Sequence, residues 1–259
     1  MHIAFFLWCV KIKAVIFMAE NKNIYSESIS VKSYDSDMFK EMSIPAIMRY
    51  FQEIGGHQLA TVGLPYEKMF ADGAVFLLNC VDIHINRPIP LWQPLTIETW
   101  CYGVNGAIFT RNNRLKTADG EVMAEGSAGW FLVDPESHRI IRPKEYPPAL
   151  GIPMAEIPLL SDGRVRIKRP EQGQKLCDRK VLFSDADYNR HLNNTKYAEI
   201  ITDLCTDELE KKRIRDFRIV YAGEARVGDT VEIFRENDVF FGTRDGERCF
   251  EAEVGFEQR

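Results

Sequence analysis

The chain of 259 residues repeats itself, and this duplication limits the folds it can adopt. Its two halves align in three blocks that occur in the same order. The blocks are Tyr34–Ser43 with Ser184–Asn193, Ile85–Trp100 with Ile219–Phe234 without gaps, and Thr117–Glu121 with Thr243–Glu247. Three matches in one order are poorly explained by chance. We therefore expect two copies of one architecture in a single chain.

Each copy is predicted to contain one long helix followed by four or five strands. Ser43 is a suitable cap for the first helix and Asn193 or Asn194 for the second, and the residues after each cap carry an apolar stripe with helical spacing. The later segments alternate apolar and polar residues, as in Val81 to Ile85. A sheet of this kind has one apolar face, and wrapping it around the helix buries both surfaces. The predicted fold class is α+β, with an antiparallel sheet around a long central helix in each half.

The domain boundaries follow from these patterns. We expect an N-terminal half over residues 22–150, a proline-rich linker over 151–165 and a C-terminal half over 166–259. Residues 1–21 are interpreted as an N-terminal extension, non-native or disordered, with no part in the fold. Lys11 and Lys13 interrupt its apolar run, which is unlike a secretory signal or a membrane span. A membrane-associating amphipathic tail is the alternative.

The composition argues against several classes of function. The formal net charge is −5 at pH 7, whereas nucleic-acid binding relies on clustered Lys and Arg. The six cysteines and five histidines are scattered without metal-site spacing, so we expect no metal site and no disulfide framework. Glycine-rich phosphate loops are missing, so we expect no cofactor. We predict a cytoplasmic protein without an integral membrane segment, with a homodimer left open.

One polar segment stands directly before the second helix. Asp185, Asp187, Asn189 and His191 occupy alternate positions there. In an extended segment such residues share one face, so the four side chains would converge on the positive end of the helix, which stabilises an anion. This set is a candidate hydrolytic site.

The first half lacks this polar set. In the alignment, Phe39 stands opposite Asn189, Glu41 opposite His191 and Pro90 opposite Glu224. We therefore expect one active site in the second half, and a first half that is free to serve as a binding wall. Candidate residues for a substrate tunnel in that wall are Met48, Phe51, Ile54 and Phe76.

The segment from Asp185 to Tyr197 resembles the signature of the acyl-acyl-carrier-protein (acyl-ACP) thioesterases, and the similarity extends over residues 24–257. The resemblance implies a tandem (double) hotdog fold and hydrolysis of acyl-ACP to free fatty acid, which terminates fatty acid synthesis. By position it also implies a catalytic set made of Asp187, Asn189, His191 and Glu224. Many relatives have Cys where this chain has Ala225, which favours water and carboxylate chemistry over a thiol nucleophile. A general-base route and a covalent carboxylate route both remain open.

The resemblance also implies acyl carrier protein as the partner, and this partner is strongly acidic. Two basic clusters are candidates for docking it. Their members are Arg166, Lys168 and Arg169, and Lys211, Lys212 and Arg215. Two other functions are compatible with the same residues: an acyl-CoA thioesterase of the hotdog type, and a hotdog protein that binds acyl chains without hydrolysing them.

Overall fold

The computed structural model describes residues 23–168 and 170–259. The predicted extension over 1–21 and the docking candidate Arg169 lie outside the described residues. The helices are α1 (Ile44–Thr61), α2 (Tyr66–Ala71), α3 (Asn194–Asp203) and α4 (Thr206–Leu209). The strands are β1 (Tyr25–Ser30), β2 (Val75–Ile85), β3 (Pro94–Asn105), β4 (Ile108–Lys116), β5 (Val122–Val133), β6 (Gln174–Lys180), β7 (Lys212–Tyr221), β8 (Thr230–Glu236), β9 (Val239–Arg244) and β10 (Glu247–Gln258).

All ten strands form one antiparallel sheet in the order β1-β3-β4-β5-β2-β7-β10-β9-β8-β6. The two halves meet where β2 pairs with β7, with Val81 opposite Ile219. Helices α1 and α3 pack against each other, and Arg49 of α1 forms an ion pair with Glu199 of α3 at 3.0 Å. The main hydrophobic core contains residues of both helices and of strands from both halves. The predicted α+β architecture is therefore confirmed.

Helices α1 and α3 begin at predicted caps, and α1 ends just before the predicted stop at Gly63. Ser43 Oγ accepts the Ala46 N–H at 3.4 Å, and Pro45 lies in the first turn. Asn193 Oδ1 caps α3 by accepting the Thr195 N–H at 2.9 Å. After α1 the chain turns at Gly63, whose φ of 78° suits glycine.

The first repeat block is confirmed by matching bridges and hydrogen bonds, but the second needs a shift of two residues. His191 bridges to Arg226, while its counterpart Glu41 bridges to Pro90. The residue equivalent to Glu224 is therefore Pro88, and the predicted equivalence of Pro90 with Glu224 is wrong. A shift of two preserves the alternation of a strand, so periodicity alone could not detect the error.

The segment between the halves lies against the first half of the sheet. Among the described residues between Gly151 and Gln174 there is no helix or strand. The carbonyl oxygen of Ile157 accepts hydrogen bonds from Trp100 Nε1 at 2.9 Å and Asn112 Nδ2 at 3.0 Å. The neighbouring Arg111 packs against Gly55 of α1, so the segment covers the sheet face opposite α1. The proposed domain boundaries stay a prediction.

Within the described ranges, no helix has the length and apolar character needed to span a membrane.

Candidate active site

The segment before α3 is a tight turn and not an extended strand. A 3₁₀ turn over Phe183–Asp185 comes first, Ala186 then bridges to Leu192, and Arg190 has a φ of 67°. The prediction that four alternating side chains share one face is therefore wrong. Asp185 is buried and pairs with Arg179 Nη2, which lies 3.0 Å from each carboxylate oxygen. Asp185 therefore stabilises the turn from its buried side and takes no part in the candidate site.

Asp187 organises the rest of the turn. Its Oδ1 accepts the N–H of Asn189 at 2.8 Å and the N–H of His191 at 3.2 Å. The Asp187 N–H in turn donates to the carbonyl oxygen of His191 at 2.9 Å. These three bonds hold the backbone of the two residues that carry the chemistry. The structure therefore places Asp187 as the support of Asn189 and His191.

Glu224 reaches the same place from the loop after β7. His191 Nε2 lies 3.2 Å from Glu224 Oε2, and both side chains remain partly exposed, at 20% and 29%. The loop is fixed because Arg244 Nη1 donates to the Glu224 carbonyl oxygen at 2.6 Å. The Ala225 carbonyl oxygen accepts the Leu192 N–H at 2.7 Å. The structure thus brings together Asp187, Asn189, His191 and Glu224 from segments that are far apart in sequence.

Two further side chains at this place come from the first half and were not predicted. Tyr66, the first residue of α2, donates its hydroxyl to Asn189 Oδ1 at 3.0 Å. His138, in the turn after β5, has Nδ1 3.6 Å from Glu224 Oε1. Neither residue belongs to a local motif, and each is separated from its partner by more than eighty positions in the sequence. No signal in the linear pattern could have identified them.

The site opens into a large cleft of ≈ 1790 Å³ between the halves. Phe76 lines this cleft, as predicted for the acyl tunnel. Met48 and Phe51 line a small adjoining cavity of ≈ 20 Å³. Ile54 is only 2% exposed and lines neither space, so the structure places it in the core. Other apolar residues of the first half that line the cleft include Leu59, Leu64, Met69, Phe70, Val75, Leu77, Leu78, Phe109 and Trp130.

One of the two basic docking clusters does not flank the site. Lys212 begins β7, and Glu224 follows the other end of this ten-residue strand, about 30 Å away at ~3.3 Å per residue. Lys211 and Arg215 lie at the same distant end. Arg166 and Lys168 are exposed in the segment between the halves. The expectation that the cluster of Lys211, Lys212 and Arg215 borders the site is wrong, because β7 carries the chain across the sheet between this cluster and Glu224. Docking at Arg166 and Lys168 stays a prediction.

The corresponding place in the first half is filled by a side chain. The Arg259 guanidinium lies over the Phe39 ring, with Cζ 3.6 Å from the ring centre. Its Nη1 also pairs with Glu41 Oε2 at 2.9 Å. The first half therefore uses this place for packing between the halves. In the part of the chain that the structure describes, no group of three His, Cys, Asp or Glu side chains could hold a metal ion.

Two family models match the chain over most of its length. They are the acyl-ACP thioesterase N-terminal domain, over residues 22–146, and the acyl-ACP thioesterase C-terminal domain, over residues 168–253. Among curated relatives, a palmitoyl-acyl carrier protein thioesterase of Cuphea hookeriana is 23% identical over 218 residues, covering 78% of this chain and 52% of the relative. An oleoyl-acyl carrier protein thioesterase of Coriandrum sativum is 22% identical, covering 86% and 65%. The chain thus spans about half the length of the first of these relatives.

Solved structures agree with the architecture. An acyl-ACP thioesterase from Bacteroides thetaiotaomicron superposes with a TM-score of 0.80 at 19% identity, covering 91% of this chain and 98% of the other. The 12:0-ACP thioesterase from Umbellularia californica gives a TM-score of 0.80 at 16% identity, covering 92% and 99%. These similarities confirm the tandem hotdog fold. Together with the two domain models, they show that the chain belongs to the acyl-ACP thioesterase family.

Proposed function

We propose that the protein hydrolyses the thioester of acyl-ACP, releasing a free fatty acid and holo-ACP. The observation that carries this proposal is the contact between His191 Nε2 and Glu224 Oε2 at 3.2 Å, beside Asn189 and at the mouth of the large cleft. An imidazole and a carboxylate can activate water, and the cleft has an apolar wall for an acyl chain. The family membership supports the same chemistry.

In the proposed reaction, Glu224 and His191 take a proton from water as the oxygen attacks the thioester carbon. The Asn189 amide and the N-terminal end of α3 stabilise the oxyanion that forms. The carbon–sulfur bond then breaks, and the thiolate receives the proton. Asp187 Oδ1 already accepts two backbone N–H groups. We therefore favour the general-base route over direct attack by Asp187.

Turnover of matched substrates tests the proposal. Acyl-ACP and acyl-CoA with the same chains should be compared at equal concentration, with free fatty acid measured by chromatography. We expect fatty acid release, with kcat/KM higher for acyl-ACP. A higher value for acyl-CoA would assign the chain to that substrate. Binding of acyl-ACP without release of fatty acid would show a non-hydrolytic acyl-binding protein.

The residues at the mouth of the cleft suggest where an acidic carrier protein docks. Arg190 and Arg226 are exposed. Arg190 precedes His191 in the turn, and Arg226 forms a backbone bridge with His191. We expect the double variant Arg190→Glu, Arg226→Glu to raise KM for acyl-ACP about tenfold, because long-range attraction is reversed. Steady-state kinetics at low and high salt should show that the difference shrinks as salt rises.

The distant basic cluster provides the matched control. The triple variant Lys211→Glu, Lys212→Glu, Arg215→Glu changes the net charge by more than the double variant does. Its substitutions lie at the opposite end of β7 from the site. We expect little change in KM for acyl-ACP from this variant, and little change from either variant for a small acyl thioester. A larger effect from the distant cluster would restore the docking surface predicted from the sequence.

The cysteines provide a further test of the mechanism. Cys205 is fully buried, and burial raises the pKa of its thiol to about 12. Burial also raises the pKa of Cys177. Because the nucleophile is the thiolate, we expect Cys177→Ala and Cys205→Ala to keep kcat within about twofold once folding is verified. Loss of kcat in either folded variant, reproduced by thiol-blocking reagents on the wild type, would point to a thiol mechanism.

A further inference from the structure

Two side chains of the first half contact the two groups that the proposed chemistry needs most. Tyr66 contacts Asn189 at 3.0 Å, and His138 lies 3.6 Å from Glu224. The first half has lost its own polar set, with Phe39 and Glu41 in its place. Two of its side chains, Tyr66 and His138, nevertheless extend across the junction between the halves to Asn189 and Glu224.

We propose that Tyr66 and His138 are positioning residues, which complete the site of the second half by orienting Asn189 and Glu224. This inference rests on the proposed hydrolytic function and deepens it. It assigns the first half a part in the chemical step as well as in acyl binding.

The orientation of the Asn189 amide follows from the Tyr66 contact. The phenol donates to Oδ1, so the amide nitrogen points away from the tyrosine with both of its N–H groups free to face the thioester oxygen. Burial, together with the charges of Asp187 and Glu67, raises the pKa of Tyr66. The hydroxyl therefore remains a proton donor throughout the neutral range. An amide held in one orientation before substrate arrives costs no reorganisation in the transition state.

The orientation of Glu224 follows from its two imidazole neighbours. His191 Nε2 faces Oε2 and His138 Nδ1 faces Oε1, so each carboxylate oxygen has its own nitrogen. Rotation of the carboxylate would break one contact or both. His138 thus fixes the plane of the carboxylate and leaves His191 and water on the side of the cleft.

Both positioning side chains stand on well-supported backbone. In the turn of His138, Asp134 Oδ1 accepts the Ser137 N–H at 2.8 Å and the Ser137 hydroxyl at 2.9 Å, and the His138 N–H donates to the Asp134 carbonyl oxygen at 2.9 Å. At the end of α2, Asp72 accepts the Tyr146 hydroxyl at 2.8 Å. Rigid supports are what precise positioning of a catalytic group requires.

Removal of the Tyr66 hydroxyl is the first test. Tyr66→Phe keeps the ring contacts with Phe70 and Tyr188 and removes only the donor. We expect kcat for acyl-ACP to fall about tenfold with KM within twofold. Tyr25→Phe is the matched control, because it removes a first-half hydroxyl that donates to Glu27 Oε1 at 2.9 Å and touches neither α2 nor Asn189. Its kcat should stay within twofold of the wild type.

A double-mutant cycle shows whether Tyr66 acts through Asn189. In the Asn189→Ala background, Tyr66→Phe should cause no further loss of kcat, because the group that it orients is already missing. For His138→Ala we expect a fall in kcat of about fivefold, with rescue in His138→Gln, whose side-chain amide offers an N–H group to Oε1. The effect of His138→Ala should vanish in the Glu224→Gln background. Additive losses in both cycles would overturn the positioning role.

A measurement independent of turnover separates this inference from the proposed function. The side-chain amide signal of Asn189 in ¹H–¹⁵N spectra should shift in Tyr66→Phe and stay unchanged in Tyr25→Phe. If the wild type hydrolyses acyl-ACP but Tyr66→Phe changes neither kcat nor this signal, the inference fails and the function stands. If the wild type releases no fatty acid, the function fails, and an unchanged Asn189 signal would then also exclude the contact.

Discussion

Glu224→Gln is expected to lower kcat for acyl-ACP by a factor of ~10² to 10⁴, the range typical for loss of a general base. The amide has the shape of the carboxylate but cannot accept a proton from water. His191 Nε2, now 3.2 Å from a carboxylate oxygen, would then face an uncharged amide. Steady-state kinetics with circular dichroism as the folding check would measure this effect, and KM should change little.

The internal repeat supplies the control for this substitution. Pro88 is the structural counterpart of Glu224, because Pro90 and Arg226 occupy equivalent bridges. Pro88→Gln should leave kcat within about twofold. A kcat near the wild-type value in Glu224→Gln would remove Glu224 from the chemical step. A strong loss in Pro88→Gln would place chemistry in the first half.

Asn189→Ala is expected to lower kcat by ~10² to 10³, the usual cost of removing one oxyanion donor from a preorganised site. The backbone of the turn should survive, because Asp187 Oδ1 binds the N–H groups of residues 189 and 191 and not the amide side chain. The loss should therefore appear in kcat and only weakly in KM. Single-turnover release of fatty acid would separate the chemical step from product release.

Phe39→Ala is the matched control for Asn189→Ala. It removes the side chain at the equivalent position, where Phe39 packs under Arg259. We expect a lower thermal midpoint from this lost packing, with kcat unchanged at temperatures where the variant is folded. Equal losses of kcat at both positions would show that Asn189→Ala acts through stability and not through the oxyanion.

Local patterns were sufficient for a large part of the fold. Ser43 and Asn193 were predicted as helix caps and are caps in the structure, because capping depends on residues two or three positions apart. The antiparallel strands followed from alternation, and the duplication followed from repeated turns. The register of the second repeat block could not be predicted from local patterns, because a shift of two residues keeps every strand side chain on its own face.

The sequence by itself determined the two copies with their long helices and strands, because these are encoded by neighbouring residues. The resemblance to the acyl-ACP thioesterases supplied the set of Asp187, Asn189, His191 and Glu224 as a prediction. The tertiary structure alone decided that Asp185 turns away to Arg179, that the basic cluster on β7 is remote from the site, and that Tyr66 and His138 face Asn189 and Glu224. Each of these depends on how turns fold and how the halves pack, and contacts between distant residues leave no periodic trace in the chain.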